Sequence, residues 1–363
     1  MAIEKASFFR KYFVPGLIFQ SVLIGGGYGT GREIVEYFMK YGPLGGILGM
    51  FLLTLVLWSL MLAVTFEFSR KFKHYDYRSL LLDLLGRFWL VFEIIFIALL
   101  IVVLAVIGSA AGVLLRDFFG FPYIAGVGIM LAAVGFLTFK GSRFIEKFLS
   151  AWSIFTYIVY ALFLVIAIVK FGPLIQKNLT SGIILSKWAI GGFKYSLYNM
   201  CVFPAVLFSI RNIETRKEAV SAGALAALIG ILPGFLFYIA ILGHYPEVLS
   251  EEIPAVFVIQ KTEVPFLLVI FLVMLVGTLI ETGTGFIHSV NERIQSAFQA
   301  RGKVFPRWMR PVIAVFMLLV SLGLSTFGII NLVSKGYGLM SWGIFFIYIV
   351  PLMTLGLYKI LKK

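Results

Sequence analysis

Long apolar runs, separated only by short charged loops, decide what this chain can fold into. A helix that crosses a bilayer needs about 20 mostly apolar residues. Ten stretches of the 363-residue sequence fit that description, at approximately 12–39, 43–69, 88–115, 121–139, 144–170, 190–210, 218–243, 265–295, 311–328 and 339–360. Barrel strands would be shorter and alternating. Composition agrees: 61% of residues are hydrophobic and 13% charged, with a mean hydropathy of +1.01. A soluble fold of this size could not bury so much apolar surface. The chain is therefore read as an all-α integral membrane protein. A cytosolic enzyme, a nucleic-acid-binding module and a disordered chain are excluded.

The charges set the orientation. The net charge of +14 sits in loops rather than along one helix face, so nucleic acid is not the expected partner. With the N-terminus inside and ten spans following, 22 of the 31 lysines and arginines fall inside and 7 outside. Arg32 and Lys194 fall within or at the edge of spans. The positive-inside rule then places both termini in the cytoplasm, in a multi-pass protein of the cell membrane. The N-terminal apolar run leads into glycine-rich sequence without a cleavage site, so it reads as a retained first helix. The lone Cys201 excludes an internal disulfide and a cysteine-based metal site. The expected organisation is a first repeat over 1–170, an external loop over 171–189, and a second repeat over 190–363. Within the second repeat, residues 244–263 hold a short amphipathic stretch, too short to span, expected to lie on the outer surface or cap a pathway.

Two spans carry interruptions. In the first, Gly25, Gly26, Gly27, Gly29 and Gly31 surround Tyr28 and Thr30, and each glycine weakens a helix by about 1 kcal/mol. In the sixth, Asn199 is polar at mid-depth, and Pro204 cannot donate to the Met200 carbonyl. Helix packing through GxxxG, or a simple proline kink, would account for each alone. Both interruptions, however, fall at corresponding places in two halves of five spans. Five is odd, so the second half inserts upside down relative to the first. Interrupted spans at matching positions of inverted repeats point to a transporter's site. The glycine run is not a nucleotide loop, because it lacks GxGxxG and the P-loop lysine.

Span eight carries the most informative charge. Glu281 lies near its middle, where an ionised carboxylate is costly. Helical spacing lines up Thr278, Glu281, Thr282, Gly285, His288, Ser289 and Glu292 on one stripe. Such a stripe faces an aqueous path or a partner helix. A desolvated Glu281 suits a carboxyl that binds and releases a coupling proton. Glu93 is read as snorkelling. His74 and His244 carry no ligand spacing, and no hydrolytic triad or zinc motif is present.

Ten helices in a five-plus-five inverted repeat, with discontinuous helices one and six, resemble the LeuT fold of the amino acid–polyamine–organocation superfamily. Within it, the GGGYGTGRE run (Gly25–Glu33) and the NIETRKEAVSAGA stretch (Asn212–Ala224) resemble the YkvI-type membrane proteins. More distantly they are similar to spore-germinant receptor permease subunits. Phe144-Ile145-Glu146-Lys147 resembles the opening of helix five in neurotransmitter:sodium symporters, with Phe in place of Gly.

The resemblance implies a substrate site made by Gly25, Gly26, Gly27, Tyr28, Gly29 and Thr30 with Tyr198, Asn199 and Met200. Tyr28 and Tyr198 would supply aromatic walls. It implies a sodium site from Thr278 or Thr282 with carbonyls near Val22 and Gly25. The vicinal Thr/Ser pair usual there is absent from this sequence. Arg32 resembles an external-gate arginine, with Glu36, four residues on, or Glu33 as its partner. The acidic gate partner on helix ten has no counterpart here. The implied function is a cation-coupled secondary active transporter, working by alternating access. Its solute would be small and organic, an amino acid or a related amine or zwitterion. Sodium and proton coupling both stay open, and neither an enzyme activity nor a cofactor is expected. The alternative is a transporter-like sensor subunit acting through a partner protein.

Overall fold

The computed structural model describes residues 8–139, 142–299, 302–306 and 308–362. Lys5, Lys140, Arg301, Arg307 and Lys363, all counted for orientation, lie outside them. The side chains of 142–151, with Arg143 and the Phe144–Lys147 motif, are likewise outside the description.

Among the described residues the chain is helical and forms ten spans. Six helices are continuous and long and apolar enough to cross a membrane: Pro43–Phe72, the one ending at Phe119, the one ending at Thr180, Arg216–Leu242, Pro265 onward, and Gly328–Leu361. Tyr123–Phe139 and Met309–Ser325 are shorter and apolar. The first and sixth spans are broken. The eighth, Pro265–Gln299, has 35 residues, about 50 Å at 1.5 Å per residue, and so outruns the bilayer core.

In the first span, Val14–Leu23 is helical, with proline at its N-terminal turn, where no amide donor is needed. The helix ends at Ile24–Gly25. Gly26–Gly29 forms one isolated turn, and Arg32–Tyr37 resumes the span. The expected opening across the whole glycine run is thus confined to the two ends of that turn. Gly31 has φ +81°, a left-handed backbone that a side chain would strain. The Thr30 hydroxyl donates to the Gly27 carbonyl at 2.8 Å, satisfying a group the break releases. In the sixth span the α-helix Trp188–Asn199 tightens into 3-10 turns over Met200–Ala205 and Leu207–Asn212. Pro204 sits inside the first of these, and having no N–H it leaves that turn without a donor at this position.

Two boundaries differ from expectation. The fifth span's helix, Ser142–Thr180, continues into the stretch expected as an external loop from 171. Apolarity marks where the membrane ends, not where a helix must stop. The tenth span begins at Gly328 rather than 339. Lys335, Gly336 and Gly338 read as loop, yet Lys335 is exposed at the span's end, where its charge reaches water.

Without a hydrophobic drive between helices in lipid, close packing holds the spans together. The seventh span packs on the first and second, and the sixth packs on the second. A Cβ on Gly223 would stand 2.5 Å from the Ala63 amide nitrogen, so only glycine admits that approach. The third, fourth, eighth and ninth spans form a second group, with the fifth bridging the seventh and eighth. At the N-terminal face, Thr215 and Glu218 form a capping box on the seventh span. Lys11 reaches Glu218 at 3.0 Å, and Arg70 donates to the Glu214 carbonyl at 2.9 Å. The NIETRKE stretch thus ties the first, second and seventh spans. The amphipathic stretch forms the helix Pro254–Lys261, seated over the first break.

Candidate functional site: a cavity at the two helix breaks

A cavity of about 900 Å³ lies where the two breaks meet. Val22 and Gly25 line it from the first span, Tyr198, Asn199 and Cys201 from the sixth, and Glu281 and Thr282 from the eighth. It extends to the exposed Asp76 in the loop after the second span, on the N-terminal face, and Ser21 is exposed within it. Glu281, Thr282, Gly285, Phe286, Ser289, Glu292 and Arg293 form its span-eight wall. The polar stripe therefore faces an open space, with Thr278 and His288 off it.

The opposite end is sealed. Arg32 is 3% exposed and donates to the carbonyls of Leu249 and Glu251, both at 3.0 Å. It also pairs with Glu36 at 3.3 Å, and Lys40 binds the same carboxylate. The Ala255 amide donates to the Thr30 carbonyl at 3.1 Å, pinning the surface helix to the broken span. The i,i+4 partner expected for Arg32 is the one it has.

Glu33 therefore points elsewhere. It enters the cavity, where the Tyr198 hydroxyl and the Tyr28 amide donate to its carboxylate. A Cβ on Gly27 would collide with the same carboxylate, so this glycine makes room for it. Around Tyr198 stand the rings of Tyr337, Tyr37 and Tyr195, at 5.1, 5.5 and 5.6 Å between centroids. Sequence reasoning offered Glu33 only as a gate partner. Spacing held the clue: adjacent helical residues do not share a face, so pairing Arg32 with Glu36 turns Glu33 away. Tyr337 escapes a sequence reading that starts the tenth span at 339, because the helix begins at Gly328 and Tyr337 lies inside it.

The remaining candidates are dispersed. Gly26 opens the isolated turn, and Gly27 and Gly29 lie within it. Tyr28 turns from the main cavity into a second, smaller one of about 380 Å³ beside Tyr160 and Phe237. Thr30 and Met200 are buried in packing. Thr278 is bonded to Trp152 and Thr156 of the fifth span, each at 3.3 Å. Thr282 is the hydroxyl beside the break: a Cβ on Gly25 would lie 3.5 Å from its methyl group.

The mouth is electrostatically balanced. Arg293 pairs with Glu93 at 2.9 Å and lies 3.9 Å from the ring centroids of both Tyr77 and Phe96. Glu93 thus has an ionic partner rather than snorkelling. At Asp76 burial works against ionisation, but hydrogen bonds from Ser79 outweigh it and hold the carboxyl below its usual range. Among the described residues, no three His, Cys, Asp or Glu side chains converge to hold a metal ion.

No protein-family model matches the chain. It is 24% identical over 303 residues to the uncharacterized membrane protein YkvI of Bacillus subtilis, covering 79% of this chain and 82% of that one. Among solved structures it is similar to a Na+-coupled sialic acid symporter in a substrate-bound outward-open state, with a TM-score of 0.60, 15% identity and coverage of 97% and 82%. MhsT in complex with L-phenylalanine matches with a TM-score of 0.60, 14% identity and coverage of 99% and 98%. The manganese transporter of Eremococcus coleocola matches with a TM-score of 0.52, 18% identity and coverage of 97% and 81%. The chain thus has the LeuT fold, with its two broken helices meeting at one cavity, and is related in sequence to YkvI.

Proposed function

We propose that the chain is a secondary active transporter that works by alternating access. It moves a small organic solute, an amino acid or a related amine, together with a cation. One observation carries this reading: the cavity lies at both helix breaks, extends to one face, and is sealed from the other by Arg32 and the Pro254–Lys261 helix. The positive-inside count supports reading the open face as cytoplasmic and the sealed face as external. The coupling cation, sodium or a proton, has two adjacent places. Thr282 beside Val22 and Gly25 offers oxygens to sodium, and Glu281 offers a carboxyl to a proton. The sodium coupling of the sialic acid symporter and the L-phenylalanine bound to MhsT support the reading through the shared fold.

The test is uptake into proteoliposomes of labelled amino acids and amines under an imposed sodium or proton gradient. Accumulation that collapses with the gradient is expected. Equal flux with and without either gradient, or no flux for the whole pool, contradicts the proposal.

A further inference from the structure

Among the described residues, a buried carboxylate without a counter-charge and a buried hydroxyl without a partner share one chamber. Glu33 is 5% exposed and lines the cavity. Its two donors, the Tyr198 hydroxyl and the Tyr28 amide, are neutral. Among the described residues no lysine or arginine pairs with it, and adjacent Arg32 is committed to Glu36 on the sealed side. Tyr337, 1% exposed, lines the same chamber, and among the described residues its hydroxyl has no hydrogen-bond partner. Leaving both groups so is costly at this degree of burial: an ionised carboxylate needs a cation, and a buried hydroxyl needs a partner.

The rest of the lining favours a positive ligand. Its basic side chains are Arg78, in the first turn of the helix Tyr77–Leu85 at the mouth, and Arg293, already paired with Glu93. Asp76, Glu281 and Glu292 line it beside Glu33, so carboxylates outnumber the basic groups. Further along, Phe96, Leu99, Leu100 and Phe286 make an apolar wall.

We propose that Glu33 and Tyr337 are the recognition pair for a positively charged nitrogen, so that the solute is an organic primary amine with an apolar tail. The proposal rests on the reading of this cavity as the transport site. A primary ammonium has three N–H donors and no acceptor. The Glu33 carboxylate accepts one and the Tyr337 hydroxyl oxygen a second. The Tyr198 ring, 5.1 Å from that of Tyr337, adds an aromatic face to the charge. The tail lies toward Phe96 and Phe286.

The experiment measures thermal stabilisation of the purified full-length chain by butylamine, isoamylamine and phenethylamine, each beside its matched alcohol. At least one amine is expected to bind about 10- to 100-fold tighter than its alcohol, the range of a charge-assisted hydrogen bond. In Glu33→Gln, which keeps an acceptor for Tyr198, that preference disappears. In Tyr337→Phe, amine binding weakens several-fold while the ligand-free protein keeps or gains stability, because an unsatisfied hydroxyl is removed. A purely structural Tyr337 would instead lower ligand-free stability.

Equal binding of amines and alcohols, no binding by any amine, or an unchanged preference in Glu33→Gln overturns the proposal. Stabilisation through Glu33 by sodium chloride but not choline chloride also overturns it, since the occupant is then an inorganic ion. Failure of the transport reading looks different. Glu33-dependent amine binding without gradient-driven uptake removes transport and leaves recognition. Gradient-driven uptake of a neutral solute by Glu33→Gln removes recognition and leaves transport.

Discussion

At the scale of single residues, the site turns on which way neighbouring side chains face. Arg32 and Glu33 are adjacent yet serve opposite ends of the molecule, one on the seal and one in the cavity. Gly27 enables that split, because its missing side chain leaves space for the Glu33 carboxylate. Gly27→Ala should displace that carboxylate and cost about 1–3 kcal/mol of stability. The melting temperature should fall, and amine binding should weaken about tenfold. A variant with both unchanged would show that Gly27 and Glu33 are not in contact. Glu281 carries the coupling test. Glu281→Gln should flatten the dependence of uptake on pH if a proton is the coupling ion. Unchanged uptake with unchanged pH dependence returns Glu281 to a structural role.

At the scale of elements, much was legible in the sequence because membrane helices advertise themselves. Length, apolarity and loop charge located the spans, and glycine and Pro204 located both breaks. The finer form of the breaks was not legible. A glycine run says that a helix is weak, but not that Gly26–Gly29 keeps one turn while Ile24–Gly25 and Thr30–Gly31 open. Likewise Pro204 signals a lost bond, whereas the chain responds by tightening into 3-10 turns. The site residues were harder still. Val22, Gly25, Tyr198, Asn199, Glu281 and Thr282 reach the cavity, while Tyr28 and Thr278 turn to other neighbours. Side-chain direction at a break follows from backbone angles that sequence spacing does not specify. Packing between elements gives its own prediction. Gly223→Val forces a side chain against the Ala63 backbone, where nothing flexible can yield. It should destabilise the protein by about 1–3 kcal/mol or more, seen as a lower melting temperature in detergent. Unaltered melting would mean that the second and seventh spans do not approach so closely.

At the scale of the whole molecule, two groups of spans meet around one cavity. The first, second, sixth and seventh carry both breaks, and the third, fourth, eighth and ninth supply the wall with Glu281. Rocking one group on the other would open the sealed end by pulling Arg32 from the Leu249 and Glu251 carbonyls and Ala255 from Thr30. A molecule that works this way opens its cavity to one face at a time. Ser21 reports on it directly, being exposed within the cavity. The measurement is sided labelling of Ser21→Cys, in a Cys201→Ser background, by a membrane-impermeant thiol reagent in proteoliposomes of known orientation. Labelling from the N-terminal face is expected at rest, slowed when a transported solute is supplied at the opposite face. Labelling from the opposite face alone, or a rate indifferent to solute, would contradict it.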